Sequence, residues 1–156
     1  MLANGIIMSH ILYLIQLYGG CSGELLTALQ VQQNKAARMV CKRPWNTCTK
    51  DLLQQIGWLN IKQMVAYYST LTIYKSQKHG APRYIHTMVS EPFQVKTRMA
   101  KTGGIRVTRQ FKSEIGKSSF ITRTTDLWNV IPMELRMEDS YKSFSCKLKE
   151  WVKLNI

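Results

Sequence analysis

Asn60-Ile-Lys-Gln-Met-Val-Ala-Tyr-Tyr-Ser-Thr-Leu-Thr-Ile-Tyr-Lys-Ser-Gln77 places Ile61, Met64, Val65, Tyr68, Leu71 and Thr72 three to four positions apart. That is the period of one face of an α-helix. Asn60 and Gln63 make a capping-box-like start, in which each side chain can accept the other's free backbone N–H. The stretch His79-Gly-Ala-Pro82 supplies the stop, because glycine tolerates the left-handed turn after a helix and proline cannot continue one. A helix is therefore predicted over about residues 61–77, and Pro82 can open a short one through Val89.

The same signals recur outward from this helix. A first helix over about Ala3–Leu17 ends at Gly19-Gly20, where the chain can turn left-handed cheaply. Ser22 is placed to cap the next, with Glu24 in its first turn. That helix runs over about 24–42 and must end before Pro44. Leu26, Leu29, Ala36, Met39 and Val40 recur at helical spacing on one side, and Lys35, Arg38 and Lys42 lie at i, i+3 and i+7 on another. So short a turn between two helices predicts an antiparallel hairpin. Thr49, Asp51 and Gly57 bracket a short helix.

Downstream, Phe120, Thr124, Leu127, Trp128 and Ile131 form a stripe that Pro132 ends, and Ser140 precedes a last helix burying Phe144, Leu148, Trp151 and Val152. Periodicity fails from Glu91 to Ser118, where Gly103-Gly104 suggests a small β-hairpin with Ile105 and Val107 on one strand face. The expected class is all-α. It divides into a helical hairpin (1–44), a helical middle (45–90), a basic irregular loop (91–118) and a C-terminal helical pair (119–156).

A core is within reach of a 156-residue chain that is 45% hydrophobic. The net charge of +13 is the outlier. Phosphate backbones are the commonest partners for such a surface, and anionic membrane comes second. The segment Ile6–Tyr18 is too short to span a bilayer and lacks the basic start and cleavage site of a signal peptide. Cys21, Cys41, Cys48 and Cys146 show no CxxC spacing, and His10, His79 and His86 are scattered, so no metal or other cofactor is expected. Reduced, buried thiols suit an intracellular chain, in nucleus or cytoplasm.

Catalytic patterns are missing. Nucleotide transfer needs carboxylates gathered around two metal ions, and the only adjacent acids are Glu138-Asp139, in a turn ahead of a helix. Lys101-Thr-Gly-Gly104 has the wrong order for a phosphate-binding loop. A Cys146/His86 dyad has nothing in the sequence to bring it together.

Ile11-Leu-Tyr-Leu-Ile-Gln-Leu-Tyr-Gly-Gly20 followed by Leu29-Gln-Val-Gln-Gln-Asn-Lys-Ala-Ala-Arg38 resembles the region just after the palm in reverse transcriptases of non-long-terminal-repeat (LINE) retrotransposons, of the jockey and chicken-repeat kind. Gly57-Trp-Leu-Asn-Ile61, Thr97-Arg98, Ser119-Phe120, Trp128-Asn-Val-Ile-Pro132 and Ser143-Phe144 to Trp151 resemble later elements of that family in the same order. The collinear set covers about residues 9–156. Two positions depart from the pattern: Tyr18 stands where many relatives carry tryptophan, and Cys146 replaces a basic residue. The resemblance implies that the hairpin is thumb-like and that an upstream palm domain would carry the catalytic Asp-Asp pair. This chain would then be a non-catalytic part of an RNA-directed DNA polymerase.

On that reading Lys35, Arg38 and Lys42 would track a nucleic-acid backbone, either RNA or primer-template duplex. A solvated helix face is the plainer alternative. Residues 91–125 hold eight basic residues against two acids, a net +6, whereas residues 126–156 balance five of each. Arg98, Arg106 and Arg109 in the basic loop are therefore also candidates. Trp45 and Phe93 sit next to cations and could stack on bases, although anchoring a loop is the commoner role of such aromatics. Trp128 and Trp151 are assigned to the core. A helical module whose positive face meets an acidic protein partner remains the alternative function.

Overall fold

The computed structural model describes residues 4–80, 82–89, 101–105 and 112–156. Its elements are a π-helical turn (Asn4–Met8), α1 (Ser9–Leu12), α2 (Ile15–Tyr18), α3 (Gly23–Cys41), α4 (Thr49–Gln55), α5 (Ile61–His79), α6 (Arg83–Val89), α7 (Glu114–Lys117), α8 (Phe120–Val130), α9 (Met133–Arg136) and α10 (Tyr141–Asn155). The fold is all-α, with no strand among the described residues. The chain forms two compact units, one up to Val65 and one of Ala66–Asn155, and the division falls within α5.

In the first unit, the N-terminal segment is not the single helix that its apolar pattern predicts. It breaks at Tyr13-Leu14, where Leu14 takes a left-handed φ of 53°. The hydroxyl of Tyr18 donates to the carbonyl of Ile11, bridging the break. Gly19 is not left-handed, its φ being −60°. Its role is close approach: a Cβ there would lie 2.3 and 2.7 Å from the two Val65 methyls.

The next helix, α3, does run nearly where expected, but it faces a different way. Gln33, Ala36 and Ala37 are its buried residues, whereas Met39 is 75% exposed and Val40 is exposed as well. The inward face is partly polar because it docks on backbone. Gln33 Nε2 donates to the carbonyl of Leu59 (2.7 Å), and Gln30 Oε1 accepts the N–H of Ile61 (2.8 Å). Gln30 in turn donates to Gln33 Oε1 (2.9 Å) and Asn34 Oδ1 (2.8 Å). Ala37 packs with Leu52 and Leu53 of α4, backed by Cys41, Ile56 and Trp58.

Helix α5 begins with the reciprocal capping box. Asn60 N–H donates to Gln63 Oε1 (3.1 Å), and Gln63 N–H to Asn60 Oδ1 (2.8 Å).

The second unit is built around Tyr74. Its ring stacks on Phe144 at 4.0 Å between centroids, and its hydroxyl donates to the carbonyl of Asp139 (2.8 Å). Ile73, Trp128, Ile131, Leu148 and Val152 belong to this core, with Ala66, Leu71, Ile85, Val89 and Ile105. The polar ends of Trp128 and Asn129 serve one short segment. Trp128 Nε1 donates to the carbonyl of Gly103 (2.8 Å). Asn129 accepts the N–H of Ile105 (3.0 Å) and donates to its carbonyl (2.9 Å). A side-chain amide thus replaces the strand partner expected for Ile105, while Val107, the other half of that expectation, lies outside the described residues.

Gly19→Ala should destabilise the chain by roughly 1–3 kcal/mol through overpacking against a stiff β-branched neighbour. Adding Val65→Ala should recover part of that loss. Urea unfolding of the two single variants and the double variant measures both terms, and additive losses would show that Gly19 and Val65 do not meet.

Candidate nucleic-acid interface

Lys35 and Lys42 are exposed, and Arg38 is half-buried with its Nε lacking a hydrogen-bond partner. Lys35 and Arg38 lie on α3, and Lys42 is its C-cap rather than a residue of the helix. Arg43, which is also exposed, joins them. No acid occurs between Glu24 and Asp51, and none of these four cations forms an ion pair among the described residues. In the second unit, by contrast, Lys78 pairs with Asp139, Lys147 with Glu138 and Lys117 with Glu114. The candidates Arg98, Arg106 and Arg109, with Phe93, lie outside the described residues.

The end of α3 is closed by backbone bonds from Lys42 N–H, shared between Arg38 O and Met39 O (3.3 Å to the latter), and from Arg43 N–H to Arg38 O (3.0 Å). This pairing places the capping residue in the left-handed region, where glycine is favoured. Helix α4 closes the same way on Gly57, with φ 73°, and α5 is followed by Gly80 at φ 64°. Helix α3 instead has Lys42 at φ 51°, a conformation that costs an L-residue about 1–2 kcal/mol. A cation here gains from the negative end of the helix dipole, which offsets only part of that cost.

The chain then turns sharply, with Thr47 N–H bonded to Pro44 O (3.2 Å). Trp45 occupies the corner of this turn and is 85% exposed. The loop-anchoring role that its residue type most often implies is therefore not the one it has. Sequence reasoning also passed over Arg43, although its place beside Lys42 was a visible signal.

Glu138 and Asp139 do not form a shared carboxylate site, since each has its own lysine. Hydrogen bonds from Lys147 and Ser143 hold the Glu138 carboxyl below its ordinary range. The hydrogen bond and charge of Lys78 do the same for Asp139. No group of three His, Cys, Asp or Glu side chains among the described residues is arranged to hold a metal. Cys48 and Cys146 are exposed rather than buried, and Cys21 and Cys41 are half-buried. No helix among the described residues is long and apolar enough to cross a membrane.

Comparisons with protein-family models, with curated proteins and with solved structures give no match.

Lys42→Gly should raise stability by roughly 0.5–1 kcal/mol, the relief of the left-handed strain less the extra entropy of an unfolded glycine. Chemical denaturation measures this. A destabilised variant would mean that the lysine's charge outweighs its backbone conformation.

Proposed function

We propose that this chain is the basic, non-catalytic, thumb-like part of a retrotransposon RNA-directed DNA polymerase, and that it binds nucleic-acid backbone. The observation that carries the binding is the C-terminal end of α3. Lys35, Lys42 and Arg43 stand exposed there, with Arg38 half-buried beside them on the helix and no acid paired with any of them among the described residues. Unpaired cations of this kind gain most from a polyanion whose counterions they release. The polymerase lineage rests on the collinear motifs. Two of these, Leu29–Arg38 and Gly57–Ile61, touch through Gln30 and Gln33. Catalysis would belong to a palm domain, because two-metal chemistry needs a carboxylate cluster and the adjacent acids of this chain are held by lysines.

A second reading is a module for an acidic protein partner. It draws on the apolar grooves beside the N-terminal half of α3, one lined by Ile6, Ile7, His10, Ile11, Leu29 and Gln32, another by Tyr18, Cys21 and Leu25. Such grooves suit side chains better than phosphates.

Binding should be sequence-tolerant and steeply salt-dependent. With about five phosphates neutralised, affinity should fall as roughly the fourth to fifth power of salt concentration. Replacing Lys35, Arg38 and Lys42 together by Glu should weaken every sequence alike and flatten that slope. Arg98, Arg106 and Arg109 to Ala should weaken binding without altering α3, and no variant should extend a primer with magnesium. Filter binding across a salt series decides. Parent-like binding of RNA and duplex DNA by both triple variants would favour the protein partner.

A further inference from the structure

Resting on the backbone-binding reading, we infer that the α3–α4 connection is a stacking platform for an unpaired base, so that its substrate is single-stranded RNA or DNA, or the unpaired end of a duplex. Trp45 is 85% exposed, although an indole is among the costliest side chains to leave in water. It is not a loose appendage. Pro44, whose ring fixes its own φ, precedes it, and the Thr47-to-Pro44 hydrogen bond closes the turn around it. On its N-terminal side, the chain is pinned by the bond from Arg43 N–H to Arg38 O. The result is an aromatic plate on a short, tied turn, immediately preceded by the exposed cations Lys42 and Arg43 and followed by the exposed Lys50.

This combination, cations for phosphates around an aromatic surface for a base, is what a single strand requires. A continuous duplex offers it less, because its bases are already covered on both faces by their neighbours. The strained Lys42 points the same way. Stability alone would place glycine there, as at the end of α4, whereas a phosphate beside the stacked base would use the lysine.

The test uses the intact chain at low salt with two probes: a non-self-complementary 12-nucleotide single strand and a blunt 12-base-pair duplex. Trp45→Ala should weaken single-strand binding by about 5- to 100-fold, the range of one base-aromatic stack. It should leave duplex affinity within about two-fold, while Trp45→Phe keeps most of the single-strand affinity. Single-strand addition should also quench a tryptophan signal in the parent that Trp45→Phe lacks. Because the side chain is exposed, unchanged far-ultraviolet circular dichroism is expected for both variants. Equal losses on the two probes, or none, overturn the stacking platform while leaving phosphate binding standing. A parent that binds neither probe overturns both.

Discussion

The Gln33 side chain is fully buried, and its hydrogen bond to the carbonyl of Leu59 governs how the first unit is arranged. A buried amide without a partner costs about 1–3 kcal/mol, so α3 must present this face to residues 59–61. Gln30 fixes the rotation from the next turn by accepting the N–H of Ile61. Once these two contacts are made, the remaining positions of α3 follow. Ala36 and Ala37 turn inward, and Ala37, having almost no side chain, lets α4 approach closely. Lys35 and Met39 are left in water. The polar contacts supply direction, while burial of Leu52, Leu53 and Leu59 supplies most of the driving force.

The two units treat their charge differently. In the second, Glu138, Asp139 and Glu114 are each matched to a lysine. These are surface pairs that add little stability, but they neutralise cations locally. In the first unit the cations at the end of α3 have no ion-pair partner among the described residues, and the helix dipole favours those nearest its C-terminus. These cations stand on or beside one turn of backbone whose geometry is set by hydrogen bonds. A polyanion meeting it would find its contacts largely in place, which lowers the ordering cost of binding.

Where the sequence was legible, a local rule coincided with the tertiary structure. The period of Ile61 to Thr72, the Asn60/Gln63 box and the Gly57 stop all survive because nothing in the fold opposes them. The orientation of α3 is not legible, because an apolar count sends Met39 and Val40 inward and cannot see that two glutamines have backbone groups to satisfy. The break at Leu14 carried no glycine or proline to announce it. At Gly19 the sequence suggests conformational freedom, whereas the fold uses the missing side chain. Of the site, the spacing of Lys35, Arg38 and Lys42 was readable, whereas the exposure of Trp45 depends on a turn whose closing bond lies in the backbone.

On the proposed function, nucleic acid meets this chain at the end of α3. Photo-cross-linking of a 4-thiouridine-substituted single-stranded RNA to the intact chain, followed by peptide mapping, tests it most directly. Cross-links within residues 35–50, lost as salt is raised, are the predicted result. Cross-links confined to residues 126–156, where acids and bases balance, would contradict it.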